Sequence, residues 1–197
     1  MNHAWMSKND SESLVDFEKG KKLCLGFIND GSKILDIGCG DARFFDIVKK
    51  SVKNCEFYGN DIEKESEKII KKKGYNFLKN LDVNKKFDVI SMFELIEHLD
   101  YDNLLKMTGR INHLLKKKGL LIISTPNFPN LEELNHFWDN AQHKRPYNKA
   151  ALQRLFAGYT LLKHTYFCPQ LNPVKVLRNI ILGFKPFMNQ LFIFQKN

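Results

Sequence analysis

A chain of 197 residues that is 43% hydrophobic, with 16 phenylalanines, can fill one core of ordinary size; it is too short for two independent domains and too apolar for disorder. It has no apolar run of about 18 residues, and Met1 to Asp10 lack the apolar core of a secretory signal, so a cytoplasmic protein without a membrane span is expected. The net charge of +9 admits nucleic acid, an anionic lipid surface or an acidic small molecule as partner, but lysine runs such as Lys71 to Lys73 and Lys116 to Lys118, at expected helix ends, read as solvated faces and argue against nucleic acid. The four cysteines, Cys24, Cys39, Cys55 and Cys168, show no Cys-x-x-Cys spacing, so neither a thiolate metal site nor a disulfide framework is expected.

Apolar runs alternate with helical stretches along the whole chain, which predicts one α/β domain over residues 1–197: a doubly wound, mostly parallel seven-stranded sheet with helices on both faces and an antiparallel last strand. In chain order, an N-terminal helical segment (1–30) contains a helix from about Ser13 to Ile28. Lys33 to Ile37 is a buried strand, followed by a glycine turn and a helix over Ala42 to Ser51. The next strand is Glu56 to Asn60, then a charged helix from Ile62 to Lys73 that Gly74 stops, then a weak strand near Tyr75 to Leu78. Phe87 to Met92 is the fourth strand; a helix from Asp100 to Leu115, closed by Gly119, leads to the fifth at Leu120 to Ser124.

Residues 128–148 break the pattern and read as an irregular lid. A helix at Lys149 to Phe156 follows, and Leu161 to Phe167 and Leu191 to Gln195 form a final antiparallel pair at the sheet edge. Between these strands, the basic segment 169–190 puts Val174, Leu177, Ile181 and Phe184 on one side of a short helix beside Lys175, Arg178 and Lys185. Packing on the domain is expected for it, with weak peripheral membrane contact as the alternative.

The chemistry concentrates in Ile34-Leu35-Asp36-Ile37-Gly38-Cys39-Gly40-Asp41-Ala42. Two glycines directly after a strand and before a helix let the backbone pass close to a ligand. A dinucleotide fingerprint needs a third glycine where this chain has Arg43, and Asp36 repels a phosphate at the turn. A cationic ligand is welcome there, and S-adenosylmethionine, with its sulfonium and ammonium, suits. Asp61 stands at the end of the second strand, placed to accept both hydrogens of a ribose diol.

These residues resemble the class I S-adenosylmethionine-dependent methyltransferases, from about Lys33 onward. The resemblance implies a Rossmann-like fold with S-adenosyl-L-methionine as cofactor. It implies that Asp36, Gly38, Cys39 and Gly40 hold the methionine end, that Asp61 and Ile62 hold ribose and adenine, that Asp82 and Val83 flank the adenine amino group, and that Phe93 also lines the cofactor. Ala42 stands where many members have a further glycine. Phe87 to His98, and Ser124-Thr125-Pro126-Asn127, are similar to the small-molecule branch, which includes methyltransferases of ubiquinone biosynthesis; this implies O-methylation of a small-molecule acceptor, with N- and C-methylation left open.

On the acceptor side, His98 follows the fourth strand and is either a general base or a residue that caps or orients a loop. His143 is the second candidate base, in a segment similar to the one that carries a substrate-side histidine in this branch. Glu94, Glu97 and His98 have spacing that suits a divalent metal and resemble the metal site of small-RNA 3′-terminal 2′-O-methyltransferases, where His143 or His136 supplies a further ligand. A metal-dependent RNA 2′-O-methyltransferase is therefore the first alternative, although Glu-x-x-Glu-His also occurs in metal-free members. A cofactor-binding partner subunit without catalysis is the second. Glu94, His136, Trp138 and Arg145 are the expected acceptor contacts; Phe137 and Trp138 either wall that site or pack the loop onto the core.

Overall fold

The computed structural model describes residues 18–128, 131–167, 174, 177, 181 and 189–197. Seven strands, β1 (Lys33–Ile37), β2 (Glu56–Asn60), β3 (Asn76–Phe77), β4 (Phe87–Phe93), β5 (Leu115–Pro126), β6 (Tyr159–Phe167) and β7 (Asn189–Lys196), form one sheet in the order β3-β2-β1-β4-β5-β7-β6. The pairings from β3 to β5 are parallel, and β7 runs antiparallel to both β5 and β6. The helices are α1 (Arg43–Lys49), α2 (Lys64–Lys72), α3 (Tyr101–Leu114), α4 (Leu131–Trp138) and α5 (Lys149–Leu155).

Strand side chains alternate between faces, and both faces here are apolar, so each recruits its own helical layer. Leu35, Ile37, Ile90, Leu121 and Phe192 pack with Leu104 and Ile111 of α3 and Leu152 of α5. Ile34, Val89, Ile122 and Ile193 pack with Phe44, Phe45 and Val48 of α1 and Ile70 of α2. Phe44 and Phe45 are fully buried, and each such side chain stabilises the α1 layer by roughly 1.5–3 kcal/mol.

Local chemistry sets the helix ends. The Asp100 carboxylate accepts the Asn103 N–H at 2.8 Å and the Asn148 side chain accepts the Ala151 N–H at 2.9 Å, capping α3 and α5. Gly74, at φ +78°, takes the left-handed position that stops α2. Gly59 in β2 has a packing reason to be glycine: an added Cβ would lie 2.6 Å from Ile70 Cδ1 and 2.8 Å from Cys39 Sγ. That contact lets α2 and the glycine turn close on the strand.

Three expectations need correction. Gly119 does not end α3; Leu115 is already extended and β5 begins there, so Lys116 to Lys118 lie in a strand, with Lys116 paired to Asp88 at 2.7 Å. The irregular stretch contains α4, whose Leu131, Leu134 and Phe137 share helical spacing. The N-terminal helix, described from residue 18, ends at 22 and gives way to a 3-10 turn at Leu25–Phe27. Val174, Leu177 and Ile181 are helical and exposed. Phe184 and Cys168 lie outside the described residues.

Candidate active site

β1 and β4 are adjacent, and the chain leaves them toward opposite edges of the sheet, so a crevice opens at their carboxyl ends. Gly38, Gly40 and Ala42, at φ +73°, +49° and +63°, fold the chain back on itself between β1 and α1. Nothing lies within 4 Å of where a Gly40 Cβ would be, so the backbone there faces open space, and Gly38 lies against Leu95.

Asp61 fastens this turn. One carboxylate oxygen accepts the Gly40 N–H at 2.8 Å and the other the Glu63 N–H at 2.9 Å, which leaves each oxygen a further lone pair. Ile62 beside it is 94% exposed. Cys39 is buried in the α1 layer. Asp36 is 3% exposed and accepts the Ser91 hydroxyl at 2.7 Å; burial pushes its carboxyl up to about 7. Lys21 opposes that shift, and its ammonium stands 5.5 Å from the centre of the Phe93 ring, which rests on Phe44 at 4.8 Å. Asp82 is exposed and paired with Arg110 at 3.2 Å, and Val83 packs at the margin of the α3 layer.

The other wall is the turn after β4. Glu94 sits at φ +50°, accepts the Ser124 hydroxyl at 2.6 Å and is held above the usual carboxylate range by burial. Glu97, in the 3-10 turn Ile96–His98, is 1% exposed, accepts the Thr125 hydroxyl at 3.1 Å, and is held well above the usual carboxylate range by burial and then by Glu94. Its backbone carbonyl accepts the N–H groups of Lys144 and Arg145, which ties the segment after α4 to this turn.

His98 and His143 meet there with ring centres 4.8 Å apart. A carbonyl oxygen only accepts, so His98 Nδ1, 3.3 Å from the Gln142 carbonyl, carries the proton and Nε2 keeps its lone pair. Burial, then His143, lowers the His98 pKa and favours this neutral form. His143 donates from Nδ1 to the Phe137 carbonyl at 2.8 Å and receives Asn140 Nδ2 on Nε2 at 3.1 Å, with its ring stacked on Phe137. Glu97, His98 and His143 place one ligand atom each within 4.8 Å of one another. His143, which the resemblance offers as a further ligand, thus lies with Glu97 and His98, while Glu94 is held by Ser124.

Of the other expected acceptor contacts, Trp138 is half-exposed at the end of α4, with Phe137 edge-on at 4.8 Å. Arg145 lies over the Tyr147 ring at 5.7 Å, and the side chain of His136 lies outside the described part of the structure. Phe137 is buried and packs against Trp138 and His143. Sequence reading missed Lys21, Ser91, Thr125 and Asn140. Each acts through a neighbour on another element, and only Ser124-Thr125, a polar pair ending an apolar strand, left a trace in the sequence.

Residues 13–163 match a methyltransferase domain family. The chain belongs to that family. Its architecture is that of the class I enzymes, and S-adenosylmethionine is the cofactor. It is 31% identical over 125 residues to a ubiquinone biosynthesis O-methyltransferase of Bartonella bacilliformis, a match covering 54% of this chain and 49% of that one. It is 28% identical over 114 residues to the mitochondrial ubiquinone biosynthesis O-methyltransferase of Candida albicans, covering 51% and 34%. The matched region thus spans about a third to a half of the length of these relatives. Among solved structures, a SAM-dependent methyltransferase from Archaeoglobus fulgidus superposes with a TM-score of 0.72 at 21% identity, covering 94% of this chain and 95% of that one. The N-methyltransferase NodS from Bradyrhizobium japonicum, in complex with S-adenosyl-l-homocysteine, gives 0.69 at 14% identity, covering 98% and 91%.

Proposed function

We propose that this methyltransferase methylates an oxygen of a small hydroxyl-bearing molecule. The observation that carries this reading is the free Nε2 of a neutral His98 at the carboxyl end of β4, beside the crevice that the glycine turn opens. The curated relatives, named as ubiquinone biosynthesis O-methyltransferases, support an oxygen acceptor.

The residues fit the cofactor. Asp61 keeps the lone pairs that a ribose diol needs, Gly40 leaves its face open, and Asp36 and Lys21 offer opposite charges to a zwitterionic methionine end. The bound cofactor supplies an electrophilic methyl group on a sulfonium. His98 Nε2 takes the acceptor's hydroxyl proton as the acceptor oxygen bonds to the methyl carbon and the carbon–sulfur bond breaks, leaving S-adenosylhomocysteine, and the lid segment tied to Glu97 aligns the acceptor.

The proximity of Glu97, His98 and His143 supports a second reading, in which the same atoms hold a divalent cation that binds the acceptor oxygen. The donor set fits, since a cation would ionise the buried Glu97. The test is methyl transfer from labelled S-adenosylmethionine to a panel of phenols and catechols and to RNA oligonucleotides, with EDTA or added magnesium and manganese. Turnover of phenols or catechols that survives EDTA supports the base, and loss with EDTA supports the cation. Turnover of RNA alone overturns the small-molecule reading.

Asp36 sets a pH dependence. Its carboxyl is protonated below about 7 in the free protein, while a cationic ligand needs the carboxylate. Stability from the neutral carboxyl is complete below the unfolded-state value and is lost as pH rises through about 7; cofactor affinity runs the other way. Calorimetric titration of S-adenosylhomocysteine should show binding strengthening about tenfold from pH 6 to pH 8, with proton release, and Asp36→Asn should flatten the profile.

A further inference from the structure

The connection from β3 to β4 is short for a parallel crossover. It returns from the carboxyl end of one strand to the amino end of another and passes β2 and β1 on the way, a path that usually takes about a dozen or more residues and a helix. Residues 78–86 make it as an irregular strap without a helix. The layer beside α3 therefore lacks one helix, and a cavity of about 650 Å³ stands in the gap. The strap lines one side of it with Leu81 to Asn84, and α3 lines the other with Lys106, Gly109, Arg110 and His113.

The lining has a definite chemistry. The α3 residues are separated by three, one and three positions, which puts them on one side of the helix. Gly109 lies in the interior of α3, where glycine is among the least favourable residues, yet an added Cβ would meet nothing within 4 Å. No contact among the described residues calls for glycine there; what it provides is open floor in the cavity. Leu81 and Val83 belong to the apolar layer under α3 and give the cavity an apolar wall. The rim is basic: Lys106 and His113 are exposed, and Arg110 reaches across to Asp82 at 3.2 Å. Residues 78–86 and α3 together carry five Lys and Arg against two Asp.

We propose that this cavity is a second ligand site, separate from the methyl-transfer crevice, for a small molecule with a flat apolar body and an anionic group, an aryl phosphate or carboxylate. The body lies over Gly109 against Val83 and Leu81, and the oxyanion takes Lys106 and the planar donors of Arg110, which suit phosphate and carboxylate alike. The volume is that of an ordinary small-molecule site. A free inorganic anion would answer the rim and leave the apolar wall and the open floor unused; a neutral ring would do the reverse.

The test is titration of the isotope-labelled full chain with 1-naphthyl phosphate, 1-naphthoate, inorganic phosphate and 1-naphthylmethanol, followed by the amide signals of Val83 and Gly109. Saturable shifts are expected with naphthyl phosphate or naphthoate at a dissociation constant below about 1 mM, and binding about tenfold weaker or less with inorganic phosphate and with naphthylmethanol. Gly109→Leu fills the floor with a better helix former and should abolish the shift at Val83, and Lys106→Gln should weaken binding about tenfold. Both variants should keep their affinity for S-adenosylhomocysteine and a melting temperature no lower than that of the parent. No saturable shift with either naphthyl anion overturns the proposal, as does unchanged binding by Gly109→Leu or by Lys106→Gln. Displacement of the naphthyl anion by S-adenosylhomocysteine overturns it in favour of an extension of the cofactor crevice, and equal binding of inorganic phosphate overturns it in favour of a basic surface patch.

Discussion

Replacing Asp61 with alanine should weaken S-adenosylhomocysteine binding by about a hundredfold while leaving the chain folded. Two losses combine. The carboxylate accepts the N–H groups of Gly40 and Glu63, so its removal unfastens the left-handed turn at Gly38 to Ala42. It also removes the acceptor for the ribose hydroxyls, and hydrogen bonds to a charged group contribute roughly 1.5–3 kcal/mol each, part of which water restores in the variant. Asp61→Asn should fall between, because an amide keeps one acceptor oxygen and turns its NH2 toward a backbone donor. Calorimetry on the three proteins, with thermal melting alongside, measures both losses. An unchanged dissociation constant for Asp61→Ala would mean that the carboxylate serves the turn alone and that the ribose lies elsewhere.

The sheet was readable because its strands are apolar on both faces and the chain marks their ends. Ile34, Leu35 and Ile37, broken only by Asp36, run into Gly38, so period and punctuation agree there. Asp36 and Asp61 were legible as a pair because each stands at a strand end and adjacent parallel strands deliver such ends to the same edge. Gly119 misled because a glycine after a helix usually occupies a left-handed cap; here the left-handed residue is Lys118, and Gly119 sits tight against Leu115 and Lys116. The Glu-x-x-Glu-His spacing could not say which of its side chains meet, because the chain passes from strand through a left-handed residue at Glu94 into a 3-10 turn, which sends Glu94 to Ser124 and Glu97 to Thr125. Lys21 was invisible because no local pattern links a lysine on the N-terminal helix to Phe93, which lies 72 positions later in the chain.

His98→Ala should lower kcat by about 10²- to 10⁴-fold and leave the dissociation constant of S-adenosylhomocysteine within about twofold. The separation follows from geometry. His98 hangs from the turn after β4 and its polar contacts run to Gln142 and His143, whereas Asp61, Gly40 and Asp36 are held by β1, β2 and Ser91. His143→Ala should cost less if His98 is the base, because both nitrogens of His143 are already engaged, by the Phe137 carbonyl and by Asn140, and its ring serves to position its neighbour. The two readings of this cluster part on rescue. Added imidazole restores turnover to His98→Ala when the lost group was a base, since a free imidazole can occupy the space and take the hydroxyl proton. Excess manganese restores it when the lost group was a ligand, since Glu97 and His143 still offer a weakened site. Full turnover by His98→Ala without either addition would remove His98 from the chemistry and leave alignment within the lid as the source of rate.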